Sequence, residues 1–251
     1  MKRTALITGA TSGIGRATAH EFAKHGINLI LCGRRQSRLD IIKKALDRET
    51  EVHTLNFDVR NKKEVFDAIA SLPEEFKSIN ILINNAGNAH GLDPIQDGNL
   101  DDWDAMMDIN VKGLLYMSKA VIPQMTERHS GHIINIGSSA GKEVYPKGNV
   151  YCGSKHAVLA ITEGMRIDLN PYGIKVTAIN PGLVETEFSQ VRFKGDKAAD
   201  SVYKGYKALQ AEDIAEIIYF AISRPSHVNI ADLLVFPTAQ ANSTTVKKNF
   251  K

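Results

Sequence analysis

The sequence predicts a doubly wound α/β domain, in which helices cover both faces of one parallel sheet. Short β-branched or aliphatic runs alternate with longer segments of helical period along the whole chain. Several of those runs are apolar on consecutive residues rather than on every second one, the pattern of strands covered on both faces. In addition, no Pro/Ser-rich linker, internal repeat or low-complexity tract divides the 251 residues, a length that suits one large α/β domain. Residues 1–251 are therefore read as a single domain.

In chain order, strands are expected over 4–8, 28–32, 52–57, 79–83, 132–137, 175–180 and 230–236. Helices are expected between them, over 14–24, 37–48, 62–71, 101–125, 150–169 and 211–223. The least regular stretch, 182–207, carries Phe188, Phe193, Tyr203 and Tyr206 among several charges. A long, weakly patterned loop in a compact fold is often a lid, and one is expected at about 183–207. The basic end, Lys247-Lys248-Asn249-Phe250-Lys251, reads as a solvated terminus.

Composition removes several classes of function. A net charge of +3, with its basic residues dispersed, gives no concentrated face for nucleic acid. No apolar stretch approaches the ~20 residues needed to span a bilayer, so no membrane is expected. The start, Met1-Lys2-Arg3, enters an apolar run at once and does not fit a signal peptide. Two isolated cysteines, Cys32 and Cys152, offer no disulfide framework, which favours the reducing cytoplasm. None of the eight histidines has ligand spacing with a partner acid, and no metal is expected.

The first strand runs directly into Thr8-Gly9-Ala10-Thr11-Ser12-Gly13-Ile14-Gly15. Glycines at 9, 13 and 15 let the chain turn sharply and let a pyrophosphate approach the helix amino terminus, where free N–H groups and the helix dipole favour an anion. The position at the first strand-to-helix joint, without a Gly-Lys-Ser/Thr ending, argues for a dinucleotide rather than a P-loop. The end of the second strand should meet the adenosine ribose. It offers Gly33-Arg34-Arg35 and no acid until Asp40. Arginine forks suit a 2′-phosphate, so NADP is the expected cofactor; the competing reading has both arginines merely opening a solvated helix. Asp58 is either an acceptor for the adenine amino group or a helix cap toward Asn61.

Tyr151 and Lys155 stand four residues apart on a helical segment and so share a face. A free phenol, with pKa ~10, is a poor base at neutral pH. A neighbouring ammonium favours the phenolate, and such a tyrosine can exchange a proton with a carbonyl or carbinol oxygen. Cys152 adjoins Tyr151 but points ~100° around the helix, and is read as packing. His90 either lines a substrate pocket or is a loop histidine.

Together these motifs resemble the short-chain dehydrogenase/reductase family, in order and across nearly the whole chain. Thr8 to Gly15 resembles its glycine-rich turn, and Asn84-Asn85-Ala86-Gly87 its segment after the fourth strand. Ser138, thirteen residues before Tyr151, resembles its catalytic serine, and Asn110 its structural and proton-relay asparagine. Pro181-Gly182 with Thr186 resembles the loop that meets the nicotinamide carboxamide. The resemblance implies a Rossmann fold and a tetrad of Asn110, Ser138, Tyr151 and Lys155. In it Ser138 holds the substrate oxygen, Lys155 bonds the nicotinamide ribose, and Asn110 anchors a water linking Lys155 to solvent. It implies cofactor contacts from Gly9, Thr11, Ser12, Gly13, Ile14, Gly15, Arg34, Arg35, Asp58, Val59, Asn85, Ala86, Gly87, Tyr151, Lys155, Pro181, Gly182, Val184 and Thr186.

Within the family, residues 131–138, 148–151, 181–188 and 191–196 resemble the NADP-dependent 3-hydroxy acid dehydrogenases, which also oxidise serine and allo-threonine. That group overlaps with sulfoacetaldehyde and malonic semialdehyde reductases and is typically a homotetramer. The expected reaction is hydride transfer between NADP(H) and a small 3-hydroxy acid or its semialdehyde, with Ser138, Tyr151 and Arg192 toward the substrate. Arg192 either clamps a carboxylate or pairs with a surface acid or another subunit. Alternatives are a reductase of other carbonyls (sulfoacetaldehyde, 3-oxoacyl thioesters, ketones) and a cofactor-sensing binding protein without chemistry. The last predicts a broken tetrad, whereas all four residues are present.

Overall fold

Every residue of β1 (Thr4–Thr8) is buried, because this strand lies inside the sheet with helices on either side. The computed structural model describes residues 2–195 and 202–249. β1 pairs in parallel with β2 (Asn28–Gly33) on one edge and β4 (Ile81–Asn84) on the other. With β3 (Val52–Asn56), β5 (His132–Ile136), β6 (Lys175–Pro181) and β9 (Asp232–Val235), these form a seven-stranded parallel sheet in the order β3-β2-β1-β4-β5-β6-β9. The winding reverses between β1 and β4, and in such sheets the crevice beyond the carboxyl ends at that point receives the ligand.

The strands' two-residue period divides the core. Ala5, Ile7, Ile81, Ile83, Ile134 and Ile179 face one way, onto α1 (Gly13–Lys24), α2 (Gln36–Leu46) and α8 (Ala211–Ile222), through Phe22, Leu39 and Ile218. Leu6, Leu82, Ile133 and Val176 face the other way. They meet Val65 of α3 (Lys62–Ala70), Val121 and Met125 of α5 (Leu114–Glu127), and Leu169 of α6 (Asn149–Leu169). Burying each such aliphatic side chain contributes ~1.5–3 kcal/mol. Polar groups cross the same layer in pairs. Asn84 Nδ2 donates to Ser118 Oγ (3.0 Å) and Asn135 Oδ1 (2.9 Å), and Asn135 Nδ2 donates to Thr162 Oγ1 (2.9 Å). These bonds tie the ends of β4 and β5 to α5 and α6.

Two expectations change. The helix expected over 101–125 is α4 (Leu100–Met107), a π turn (Asp108–Gly113) and then α5. The turn is wedged between neighbours: a Cβ on Gly113 would lie 2.9 Å from Val59 Cγ2, and Asn110 is fastened to Asn88 and Ser154. Single π turns of this kind are frequent at functional sites. The stretch expected to be irregular contains β7 (Val184–Glu185), paired in parallel with β8 (Leu209–Gln210), and a short α7 (Phe188–Arg192). Asp196, within the 191–196 resemblance, lies outside the described residues. The basic end keeps its side chains exposed to solvent over its described part, as expected, while its backbone is tied down: Lys247 N donates to Ala239 O (2.8 Å) and Asn249 N to Gly205 O (2.7 Å).

Candidate active site

The turn after β1 is shaped by a close approach. Gly9 (φ +65°) and Gly13 (φ +49°) adopt left-handed backbone. A Cβ on Gly15 would stand 2.5 Å from both Asn85 Nδ2 and Gly9 O. Asn85 Nδ2 donates to Thr8 O (2.8 Å), while Asn85 N and Ala86 N both donate to Thr8 Oγ1 (3.0 Å each). Asn84 to Ala86 thus staples the ends of β1 and β4 together, and the glycines make room for the staple. Ser12, the N-cap of α1, makes no side-chain capping bond, and no acid occupies the first turn. The helix amino terminus therefore presents open donors and a positive dipole to the crevice, as a pyrophosphate requires. Ile14 packs toward Ala17 and Ala211, and Thr186 Cγ2 would lie 3.3 Å from a Cβ on Gly13, bringing the segment after β7 to this turn.

Beyond β2 the arginines part. Arg34 Nη1 reaches Asp58 Oδ2 at 3.5 Å. Arg35 donates through Nε (3.1 Å) and Nη2 (2.8 Å) to Thr11 Oγ1, through Nη2 to Ser12 Oγ (2.9 Å), and through Nη1 to Glu187 (3.1 Å). Arg38 holds both oxygens of the same glutamate, at 2.7 and 2.9 Å. An anion already seated on Arg35 and Arg38 is the observation that fits this corner to a 2′-phosphate. Burial pushes the Glu187 carboxyl up, but the hydrogen bonds from Arg38 and Arg35 outweigh it and hold it below the usual range. Asp58 is not a helix cap. Asn61 caps α3, accepting from Lys63 N (3.1 Å) and Glu64 N (3.3 Å), while Asp58 is clasped by Arg60 at 2.7–3.1 Å. Val59 is buried against Gly113.

Tyr151 and Lys155 sit on α6 above the end of β5, both buried. Lys155 Nζ donates to Ile136 O at 3.0 Å, and burial pulls its pKa down to about 8. Burial and the neighbouring Tyr145 push Tyr151 upward, and the hydrogen bond with Ser138 and the charge of Arg192 only partly oppose them. Loss of hydration is the largest of these effects. Tyr151 is held as the phenol, the form a general acid needs. Ser138 Oγ accepts from Ala140 N (3.1 Å), which fixes the hydroxyl at the mouth of a 3₁₀ turn. Asn110 Nδ2 donates to Asn88 O (2.9 Å) and Ser154 Oγ (3.0 Å), and its Oδ1 accepts from Asn88 N (2.9 Å). A Cβ on Gly87 would lie 3.0 Å from Asn110 Oδ1 and 3.6 Å from Lys155 Nζ, so Gly87 keeps the backbone close to both. Pro181 ends β6. Gly182 N donates to Val235 O (2.7 Å), and Val184 opens β7.

Next to Tyr151 lies a cavity walled by His90, Trp103, Met106, Asn149 and Arg192. Arg192 enters it from the end of α7. Its Nη1 donates to Tyr145 Oη (2.9 Å), its Nε to Gly91 O (3.2 Å), and its guanidinium lies 5.5 Å from the Tyr151 ring centre. The Phe188 ring is 5.8 Å from that of Tyr151. His90 Nε2 lies 2.8 Å from Asn88 Nδ2, and burial lowers its pKa. Arg38, Glu187 and Tyr145 belong to the site but are missed by reading the sequence alone. Arg38, three residues beyond Arg35 on a helix, was the one with a readable spacing. Among the described residues no three His, Cys, Asp or Glu side chains gather as metal ligands.

The short chain dehydrogenase profile matches residues 3–197. A sulfoacetaldehyde reductase of Chromohalobacter salexigens is 46% identical over 243 residues, covering 96% of each chain. An NADP-dependent 3-hydroxy acid dehydrogenase of Schizosaccharomyces pombe is 47% identical over 248 residues, covering 97% of this chain and 96% of that one. Among solved structures, the closed form of serine dehydrogenase complexed with NADP+ superposes with a TM-score of 0.92 at 42% identity, over 99% of this chain and 100% of that one.

Proposed function

The chain belongs to the short-chain dehydrogenase family, and on that premise we propose that it is an NADP-dependent oxidoreductase acting on a small 3-hydroxy acid or its semialdehyde. The observation that carries this reading is one cavity in which a buried phenol, Tyr151, faces a half-buried arginine fork, Arg192. Bound NADPH supplies the hydride, or NADP+ accepts it in the oxidative direction. Gly9, Thr11, Ser12, Gly13, Ile14, Gly15, Asn85, Ala86 and Gly87 would hold the pyrophosphate and ribose. Arg35 with Arg38, flanked by Arg34 and Asp58, would receive the 2′-phosphate end. Pro181, Gly182, Val184 and Thr186 would border the nicotinamide.

In the reductive direction Ser138 and Tyr151 hold the carbonyl oxygen, and Tyr151 Oη gives it a proton. Lys155, which already donates to a backbone carbonyl, would bond the ribose hydroxyls and resupply the phenol. Asn110 fastens the π turn to Asn88 and Ser154 and so fixes the wall behind Lys155. Arg192 orients an anionic head group within reach of Tyr151.

The test is a substrate panel followed by NADPH absorbance: small 3-hydroxy acids, semialdehydes, sulfoacetaldehyde, neutral aldehydes of equal length, and 3-oxoacyl thioesters. A carboxylate or sulfonate should be turned over at least tenfold faster than its neutral counterpart, the scale of one charge-assisted bond of ~1.5–3 kcal/mol. Preference for neutral ketones or long thioesters would remove the hydroxy-acid reading. The 46% identity to a sulfoacetaldehyde reductase keeps the sulfonate as the second reading, and the panel separates the two.

We place the enzyme in the cytoplasm, supported by two free, buried thiols and by no helix long and apolar enough to cross a membrane among the described residues. We further propose a homotetramer. Leu100, Leu115 and Ile167 leave apolar surface on α4, α5 and α6 that self-association would cover. Light scattering of the purified chain tests it: a monomer mass would rule it out.

A further inference from the structure

Arg35 and Arg38 leave the loop and first turn after β2, where a cofactor's 2′ substituent arrives in this fold. In the structure their forks close on Glu187, with Arg35 Nη1 at 3.1 Å and Arg38 Nη1 at 2.7 and 2.9 Å. Glu187 is no neighbour in sequence. It is brought across the crevice by the segment that follows β7, one residue after Thr186 and one before Phe188, at the head of α7. The far end of α7 is Arg192, fixed to Tyr145 and Gly91. The short helix is therefore tethered at one end to the phosphate corner and at the other to the substrate cavity, with Phe188 against Tyr151 between them.

We propose that Glu187 is an internal competitor for the 2′-phosphate, holding Arg35 and Arg38 until that phosphate displaces it and frees the head of α7. The inference rests on the NADP reading above. Two guanidinium charges face a single carboxylate, whereas a phosphomonoester carries about −1.5 to −2 at neutral pH and offers three acceptor oxygens. Exchange therefore favours the phosphate. A 2′-hydroxyl has no charge with which to compete, so an unphosphorylated cofactor leaves the pair closed. Glu187 would then set cofactor specificity by acting against the wrong ligand as well as for the right one. It would also make the position of Phe188 and Arg192 answer to which cofactor is bound. Both ion pairs are well exposed, with side chains 41–49% accessible, so each contributes modestly and the exchange stays reversible.

The test uses the full chain and two fragments without a nicotinamide: adenosine 2′,5′-bisphosphate and adenosine 5′-monophosphate, titrated calorimetrically into wild type and Glu187→Gln. Removing the competing charge should tighten the bisphosphate by about 3- to 10-fold, the scale of two exposed ion pairs, and leave the monophosphate unchanged. In hydrogen exchange, the amides of Val191 and Phe193, which bond within α7, should exchange faster in wild type when the bisphosphate is added. The monophosphate should not move them, and Glu187→Gln should show the faster rate without ligand. Unchanged or weaker bisphosphate binding in the variant would overturn the proposal, because Glu187 would then be orienting the forks and not blocking them. Equal wild-type affinity for the two fragments would overturn the NADP reading as well, so the two failures are distinguishable.

Discussion

Lys155 and Arg35 are cations at opposite ends of one crevice, and the protein treats them in opposite ways. Lys155 is 7% exposed, donates to the backbone carbonyl of Ile136, and has its pKa pulled down to about 8. The Arg35 side chain is 42% exposed and spends its fork on Thr11, Ser12 and Glu187. Burial makes a charge responsive to its surroundings, since hydration no longer fixes it, whereas exposure makes a charge dependable and weak. The buried end suits proton transfer, and the exposed end suits recognition of a charged group that must also leave.

The contrast is sharpest at the phenol. Tyr151→Phe should lower turnover by ~10²–10⁴-fold and leave NADPH affinity within about twofold, read by steady-state kinetics beside fluorescence titration. Near-normal turnover would break the assignment of the buried end to chemistry. Arg192 is the intermediate case, a charge enclosed by aromatic rings beside that phenol. Arg192→Gln should cost about 10- to 100-fold in kcat/KM for anionic substrates, little for neutral ones, and nothing in NADPH binding. If the anion preference survives, Arg192 only packs.

At the exposed end the effects should shrink. Arg35→Gln should weaken NADPH by about tenfold and NADH much less. Arg34→Gln, whose guanidinium turns to Asp58, should do less than Arg35→Gln. Reversal of that order would mean that Arg34 swings over when the phosphate binds.

The smallest effect is titration of Lys155. Its folded pKa of about 8 lies below the ordinary 10.5, so the folded chain releases this proton first. Between about pH 8 and 10.5 the unfolded chain binds more protons, and this group's contribution to stability rises with pH across that window. Its charge, however, is lost above about 8. NADPH affinity should therefore fall a few-fold as pH rises through that midpoint, whereas Lys155→Met should show a weaker but flat profile. A sloping profile in the methionine variant would assign the titration elsewhere.

What the sequence disclosed follows from how local each signal is. The seven main strands are legible as short β-branched or aliphatic runs between helical segments, several of them continuously apolar, and the glycine turn because Gly9, Gly13 and Gly15 are close together. Tyr151 and Lys155 were legible as one helical face. The π turn was not, since it arises from Val59 pressing on Gly113 and from Asn88 and Ser154 holding Asn110, partners distant in sequence. Glu187 was invisible for the same reason, lying 152 residues from Arg35. Asp58 was ambiguous because carboxylate and asparagine both cap helices, and only the geometry shows Asn61 taking that place.

The place of β1 between β2 and β4 also bears on how the chain is made. Its pairing with β2 closes a loop of modest length, but Ala5 must wait for Ile81 before its other edge is covered. Throughout that interval a growing chain carries an apolar strand with one row of backbone groups unpaired, a template for joining another chain. Nonlocal parallel pairing is slow to form, which lengthens the exposure. Truncations that end before residue 81 should therefore aggregate on synthesis, whereas those that include β4 should gain solubility abruptly, as a series of nested fragments would register.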